Sequence, residues 1–217
     1  GLQIGAAMAS SFALLRQVLR RHESAVIAFS GGVDSSLLAY VAAREIPRVL
    51  AVTARSETYS TAELRAARAF ARIHGIPHRV VRTRELADRR FRRNSPDRCY
   101  YCKHELFSVL ERIRAGERYD VVMDATNADD LAHDVRPGHR AALRFGVVSP
   151  LAQAGLGKRE VRALSRRLGL ATHNRPAAAC LASRVAFGTP LSANVLRRVA
   201  RAEAAVRAVW NGFFRVR

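Results

Sequence analysis

The chain has 217 residues, of which 49% are hydrophobic and 25% are charged, and its formal net charge is +19. This composition suits one globular domain, with or without a small appendage, and excludes a disordered chain, a collagen-like fibre and a small disulfide-bonded scaffold. No apolar run reaches the ~18 residues that a membrane helix needs, and the start of the chain lacks the basic flank of a signal peptide, so we expect a cytoplasmic protein.

Apolar runs of strand length alternate with helical patterns along the chain. A capping box, Ser60-Thr-Ala-Glu63, marks the start of one helix. Such alternation predicts an α/β fold, with a parallel sheet of about five strands and helices on both faces. The predicted strands are 25–29, 49–53, 78–82, 119–124 and, as the fifth, 147–149, and the predicted helices are 11–21, 37–45, 60–74, 98–115, 158–168 and 194–209.

Three segments are predicted from the same pattern. Residues 1–21 form an N-terminal helix or leader, 22–188 form the main domain, and 189–217 begin a second, small unit, because the strand pattern ends near Pro190. Residues 213–217 alternate like a strand that is just starting, which predicts either pairing with the main body or a truncated C-terminal appendage.

The positive charge is concentrated toward the C-terminal end. From Lys158 onward lie 13 of the 37 basic residues but only two of the 18 acidic ones, which favours an anionic ligand in this part. Arginine-rich codon usage explains the excess equally well, since 35 of the 37 basic residues are arginine and only Lys103 and Lys158 are lysine.

Residues 30–35 read Ser-Gly-Gly-Val-Asp-Ser, between a predicted strand and a predicted helix. Adjacent glycines let the backbone turn tightly and present N–H groups to phosphate oxygens, while serine hydroxyls and the helix N-terminus add further donors. The sequence has neither the Walker pattern nor the dinucleotide fingerprint at this point. It predicts a phosphate-binding loop of another type.

Cys99 and Cys102 lie three residues apart on one face of a predicted helix, and Cys180 is the third cysteine of the chain. From spacing alone, the pair fits a redox site, half of a zinc site, part of an iron–sulfur site or unrelated buried thiols. A zinc site of three cysteines and one histidine would use His104 or His173.

Acidic residues follow the fourth predicted strand. Asp124 lies at its carboxyl end, where ligands gather in open α/β sheets. Asp129, Asp130 and Asp134 are candidates to hold Mg²⁺ on the phosphates of ATP, and the alternative is that this Asn/Asp cluster caps helices.

Several motifs together are similar to one family. The Ser30–Ser36 loop resembles the PP-loop of the ATP pyrophosphatases, which cleave ATP between the α and β phosphates. With the loop, six further stretches resemble the LarE-type ATP-dependent sulfur transferases over nearly the whole chain: 94–103, 124–130, 136–138, 149–151, 179–184 and 215–217.

The resemblance implies an adenine nucleotide alpha hydrolase-like PP-loop domain and a defined reaction. ATP adenylates the carboxylates of pyridinium-3,5-biscarboxylic acid mononucleotide, sulfur displaces AMP, and the dithio product later binds nickel in the lactate racemase cofactor. Within the family, sulfur comes either from a single sacrificed cysteine at the Cys180 position or from a [4Fe-4S] cluster held by three cysteines. This chain has all three, so we expect the cluster.

The resemblance also assigns residues. It implies that the cluster ligands are Cys99, Cys102 and Cys180, that Cys180, Arg184, Arg215 and Arg217 are catalytic, and that the ATP phosphates are held by Ser30, Gly31, Gly32, Asp34, Ser35 and Ser36. From their places after the second and fourth strands, we expect Thr53, Asp124, Asn127 and Asp130 to complete the site for ATP and Mg²⁺. Glu203 matches a family acid near the substrate, or is a surface residue of a helix. Family members continue past Arg217 and assemble as hexamers, which implies a homo-oligomer and a truncated C-terminal segment.

Two other functions remain open from the sequence. A PP-loop iron–sulfur tRNA thiolase would suit the charge, but Val33 stands where such enzymes tend to have lysine and no RNA-binding module is visible, so a nucleic-acid partner is not expected. The other hypothesis is a non-catalytic nucleotide-binding module.

Overall fold

The computed structural model describes residues 2–132, 137–176, 180–210, 212 and 214–216. Four parallel strands form its sheet, in the spatial order β3-β2-β1-β4. Because the chain first builds the sheet on one side of β1 and then places β4 on the other, a crevice opens at the carboxyl ends of β1 and β4. The strands are β1 (Ser24–Ala28), β2 (Arg48–Arg55), β3 (His78–Arg82) and β4 (Val121–Met123).

Ten helices cover this sheet in the described part of the chain. Three short 3-10 turns lie at Glu85–Ala87, Ala171–Asn174 and Leu181–Arg184. The helices are α1 (Leu2–Leu19), α2 (Val33–Glu45), α3 (Thr61–Ile73), α4 (Arg89–Arg92), α5 (Arg98–Gly116), α6 (Ala128–Ala132), α7 (Pro137–Arg144), α8 (Pro150–Gln153), α9 (Lys158–Arg167) and α10 (Ala193–Val209).

Alternate residues of the strands face two separate hydrophobic layers. Ala25 and Ile27 of β1 pack with α1, α2, α3, α8 and α9, whereas Val26 between them packs with α5 and α7. Both sets are fully buried, as expected for a parallel sheet that is covered on both faces. The predicted fold class is therefore confirmed.

The sheet has one strand fewer than predicted. Residues 147–149 make only a single parallel bridge, between Val148 and Met123. The chain cannot continue as a strand there, because α8 begins at Pro150, which has no backbone N–H to donate to a ladder. Helix α1 also begins earlier than the predicted start at Ser11.

A third, smaller hydrophobic cluster joins the C-terminal helix to the body of the protein. Leu191 and Leu196 pack with Phe91 and with Leu181 and Ala182 of the last 3-10 turn. The described residues among 213–217, which are 214–216, do not form a strand. Within the described residues, no helix is both long and apolar enough to span a bilayer.

Candidate active site

The loop between β1 and α2, residues 29–32, has the backbone geometry of a phosphate-binding loop. We call this loop, together with the N-terminus of α2, the phosphate cradle. Gly31 has φ +72°, and a Cβ atom there would lie 2.9 Å from the backbone Cα of Ala67, so only glycine fits. The hydroxyls of Ser30 and Ser35 are 3.0 Å apart, and Ser30 Oγ accepts the N–H of Gly32 at 3.3 Å. No side chain caps the N-terminus of α2, which leaves its first amides for a ligand.

Two cations that sequence reasoning missed lie against this loop. Lys158, at the start of α9, forms an ion pair with Asp34, whose carboxylate also accepts the amide of Asn127 at 3.2 Å. Arg175 donates to the carbonyl of Gly31 at 2.8 Å. The sequence held one signal for Lys158, because the chain has only two lysines among 37 basic residues. Both of them, Lys103 and Lys158, line the cavity described below.

The acidic cluster after β4 is tied into the fold. Asp124 accepts the hydroxyls of Thr126 at 2.8 Å and Ser149 at 2.7 Å. Asp129 accepts the N–H of Lys158 at 2.7 Å and so caps α9, as the helix-capping alternative predicted. The backbone N–H of Asn127 donates to Asp130 at 3.3 Å. Asp34, Asp124 and Asp130 line the cavity, whereas Asp134 lies outside the described residues.

Thr53 lies at the carboxyl half of β2, beside the cradle. Its hydroxyl is 2.7 Å from Nε2 of His78. Burial lowers the pKa of His78, and the nearby Arg68 guanidinium lowers it further, so the ring is neutral at pH 7. The apolar cavity wall around Thr53 suits an adenine ring, and its residues are Ala28, Phe29, Val52, Ala54 and Leu64.

The three cysteines and the phosphate cradle open into one cavity of about 590 Å³. Cys99 and Cys102 lie in the first turns of α5, and Cys180 precedes the last 3-10 turn. The carbonyl of Cys180 accepts the N–H of Ser183 at 2.9 Å and Arg184 Nη1 at 3.2 Å, which fixes the turn. A cavity of this size can hold ATP phosphates at one part and sulfur chemistry at another.

Electrostatics at the cysteines favour a cationic occupant. Burial raises the pKa of Cys102, and Glu85 and Cys180 raise it further. Burial raises the pKa of Cys180 too, and the charge of Cys99 adds to the effect. Burial and the neighbouring thiols therefore both disfavour ionisation of these cysteines, and a bound cation would counter this effect.

Neither histidine that the sequence offered for a zinc site lies with the cysteines. Among the described residues, no three His, Cys, Asp or Glu side chains are placed to share one metal ion. His104 lies between the rings of Tyr100 and Phe145, and Nδ1 of His173 is 2.9 Å from the carbonyl of Leu170. Neither ring lines the cavity that the three cysteines share.

The predicted site residues divide into three groups. Seven ATP-site residues and all three cysteines line the cavity: Ser30, Gly32, Asp34, Ser35, Thr53, Asp124, Asp130, Cys99, Cys102 and Cys180. Gly31, Ser36 and Asn127 lie just behind this surface, with Ser36 fully buried. Arg184 and Arg215 are not part of the lining, and Arg217 lies outside the described residues, so their catalytic roles stay predictions.

Arg184 instead takes part in a buried ion pair with α10. Its Nε lies 2.6 Å from Oε1 of Glu203, and the two side chains are only 8% and 9% exposed. The N–H of Val216 also donates to Glu203 at 3.4 Å. The surface alternative for Glu203 is therefore wrong: this acid joins the Cys180 turn to α10 and to the residues after it.

We expect Glu203→Gln to cost about 3–5 kcal/mol of unfolding free energy, because it removes the carboxylate from its buried ion pair with Arg184. Glu117→Gln is the matched control, since Glu117 pairs with Arg79 at a surface where the two side chains are 40% and 43% exposed. Urea unfolding should show no resolvable change for this control. Equal losses in the two variants would contradict the structural role of the buried pair.

Comparisons with known proteins agree with the geometry of the cavity. A family model described as asparagine synthase matches residues 13–184. A protein of Synechocystis is 41% identical over 204 residues, which are 94% of this chain and 76% of that protein. Pyridinium-3,5-bisthiocarboxylic acid mononucleotide synthase of Lactiplantibacillus plantarum is 33% identical over 214 residues, which are 98% of this chain and 77% of the enzyme.

The fold has a solved counterpart. The U34-tRNA thiolase NcsA from Methanococcus maripaludis, solved with its [4Fe-4S] cluster, superposes with a TM-score of 0.58 at 20% identity, over 91% of this chain and 74% of the thiolase. At that identity the likeness concerns the fold. The family match and the curated relatives show that the chain belongs to the PP-loop family described as asparagine synthase, and within it to the LarE-type proteins.

Proposed function

We propose that the protein is an ATP-dependent sulfur transferase that converts the carboxylates of pyridinium-3,5-biscarboxylic acid mononucleotide into thiocarboxylates, with AMP and pyrophosphate as by-products, as a step toward the nickel-pincer nucleotide cofactor of lactate racemase. The observation that carries the proposal is the shared cavity: a phosphate cradle and three cysteines line the same 590 Å³ space. The named activity of the 33% identical relative supports it.

The first half-reaction is adenylation. A substrate carboxylate oxygen attacks the α phosphorus of ATP, the bond to the β phosphate breaks, and pyrophosphate leaves with the electron pair. Negative charge grows on that leaving group, where the amides at the N-terminus of α2 and the cations of Lys158 and Arg175 can stabilise it. Mg²⁺ on the ATP phosphates would share this charge, with one or two of the cavity acids Asp34, Asp124 and Asp130 as its protein ligands.

The second half-reaction replaces oxygen by sulfur. A hydrosulfide equivalent attacks the acyl carbon, the acyl–oxygen bond breaks, and AMP leaves while one proton is released. Cys99, Cys102 and Cys180 would hold a [4Fe-4S] cluster, and a cluster with only three protein ligands could supply the transferable sulfide. Around the transfer site, the cavity supplies the cations Arg98 and Lys103, which suit a negatively charged acyl adenylate.

The test supplies ATP and the pyridinium mononucleotide to the anaerobically reconstituted protein. We expect AMP, pyrophosphate and a product that mass spectrometry identifies as a thiocarboxylate. Brown colour with iron and sulfide in the protein would support the cluster, whereas zinc without colour would refute it. Pyrophosphate release without any sulfur in the product would refute sulfur transfer but would still support adenylation of the substrate.

Lys158→Met should raise the KM for ATP in pyrophosphate release about 10- to 100-fold, the usual effect of losing one charge-assisted contact. Arg159→Met is the matched control, because this neighbour on the same helix is 78% exposed and pairs with Glu160. The control should keep the KM of the original protein. Equal KM values in the two variants would show that Lys158 does not bind ATP.

A PP-loop tRNA thiolase is the second candidate, which the shared fold of NcsA and the net charge of +19 favour. Filter binding of tRNA at several salt concentrations separates the two functions, since phosphate contacts make affinity fall steeply with salt. Tight, salt-sensitive binding together with thiolated tRNA as product would favour the thiolase. The cytoplasmic location and a homo-oligomeric state remain part of the proposal.

A further inference from the structure

A buried carboxylate lies next to the cysteines but has no place in the mechanism above. Glu85, in the 3-10 turn after β3, is only 2% exposed. Its Oε1 accepts the hydroxyl of Ser56, and that of Thr58 at 2.6 Å, while its Oε2 is buried without a hydrogen-bond partner among the described residues. An apolar side chain would avoid the cost of burying an unpaired carboxylate oxygen, so packing alone does not account for this residue.

The segment that Glu85 holds, residues 56–59, touches two of the three cysteines. The carbonyl of Thr58 accepts the N–H of Leu181 at 2.9 Å, directly after Cys180. Tyr59 lies close enough to Cys102 that the neighbouring thiol raises the pKa of the Tyr59 hydroxyl, and burial raises it further. Tyr59, Cys102 and Cys180 all line the main cavity. One short segment therefore links Cys180, near the C-terminal end, to Cys102 on α5.

The same segment follows β2, which also carries Thr53 of the nucleotide wall. Thr58 is 1% exposed, so its hydroxyl has no water to replace Glu85 as a partner. Loss of the carboxylate would remove the acceptor that both hydroxyls share; because the hydroxyls lie 2.9 Å apart, only one of them could then donate to the other. The contacts of the segment with both cysteines would then loosen together.

We propose that Glu85 is a positioning residue whose buried carboxylate fixes residues 56–59 and thereby holds Cys102 and Cys180 together in the cavity. The role rests on the proposed function only in that the gathered cysteines serve sulfur transfer. The geometry of the thiols can be measured without any turnover.

The test measures how fast each thiol of the full, iron-free chain reacts with iodoacetamide under anaerobic conditions, read residue by residue with mass spectrometry. Cys99 is exposed and serves as the internal reference. In Glu85→Ala, Cys102 and Cys180 should react about tenfold faster relative to Cys99. The reason is that the free energy of local opening falls by roughly the contribution of one buried charged hydrogen bond. Glu85→Gln keeps an acceptor oxygen of similar shape but removes the charge that raises the pKa of Cys102, so the restored protection should be read at Cys180.

Two further variants keep the proposal falsifiable. Thr58→Val removes one hydroxyl from Glu85 at nearly constant size and should expose the same two thiols, even if Glu85→Ala does not fold. Glu111→Gln changes a carboxylate that pairs with Arg114 elsewhere on α5 and should change nothing. Unchanged rates in both Glu85→Ala and Thr58→Val, or equal acceleration of all three thiols, would overturn the proposal.

Failure of the proposed function gives a different result. If the original protein makes no thiocarboxylate while the two thiols still respond to Glu85→Ala, sulfur transfer is wrong and the positioning role stands. If thiocarboxylate forms while the thiol reaction rates are the same in Glu85→Ala as in the original protein, the positioning role is wrong and sulfur transfer stands.

Discussion

Gly31→Ala should destroy the phosphate cradle and with it ATP binding. An alanine at φ +72° costs roughly 1–2 kcal/mol, and its Cβ would meet the backbone of Ala67 at 2.9 Å. Because the contact is with backbone rather than with the end of a side chain, α3 or the loop must move, which adds about 1–3 kcal/mol. Urea unfolding should show the summed loss, and calorimetry should show no binding of ATP.

Gly75→Ala separates the two contributions. Gly75 has φ +65°, close to that of Gly31, but a Cβ there would meet nothing within 4 Å. This variant should lose only the roughly 1–2 kcal/mol of backbone strain and should bind ATP normally. If Gly31→Ala is no less stable than Gly75→Ala, or still binds ATP, the close approach of α3 does not shape the cradle.

The close approach behind Gly31 also shows why part of the site could be predicted from the sequence. Strand, loop and helix are adjacent along the chain, so the Ser-Gly-Gly motif predicts its own local geometry. The capping box behaves likewise: the N–H of Glu63 donates to Ser60 Oγ at 3.2 Å, and Glu63 accepts the N–H of Ser60 at 3.1 Å. Predictions of this kind need only neighbouring residues.

Contacts between distant residues could not be predicted in that way. Lys158 reaches Asp34 across 124 residues, and Arg175 reaches Gly31 across 144. Because the chain is rich in arginine, nothing in the sequence distinguishes Arg175 as a residue of the site. Glu85 likewise resembles any acidic residue that follows a strand. Glu203 was ambiguous for the same reason, since the helical pattern does not say that Arg184 lies opposite.

The two halves of the proposed reaction use separate parts of the cavity, and this has a consequence for Cys180. The cradle is built by β1, α2 and the start of α9, whereas Cys180 precedes the last 3-10 turn and its turn is bonded to Thr58. The Cys180 carbonyl, not its thiol, accepts the hydrogen bonds of Ser183 Oγ and Arg184 Nη1. The thiol can therefore be removed without dismantling the turn.

Cys180→Ala should abolish thiocarboxylate formation while pyrophosphate release from ATP, with the pyridinium mononucleotide present, stays measurable. Sulfur transfer needs Cys180 either as a cluster ligand or as the sulfur donor itself, whereas adenylation needs only the cradle and its cations. Product mass spectrometry and a pyrophosphate assay on the same samples measure the two half-reactions separately. A variant that still makes thiocarboxylate would show that the sulfur does not depend on this residue.

The mass of the original protein before and after turnover then decides which role Cys180 has. A protein that gives up its own sulfur must lose about one H₂S per transferred atom and stop after a single round. A protein whose cysteines only hold a cluster keeps its mass and continues for as long as sulfide is supplied. Because Cys99, Cys102 and Cys180 all line the cavity, we expect an unchanged mass and repeated turnover with added sulfide. A mass loss confined to Cys180 would leave Cys99 and Cys102 without a role in sulfur transfer.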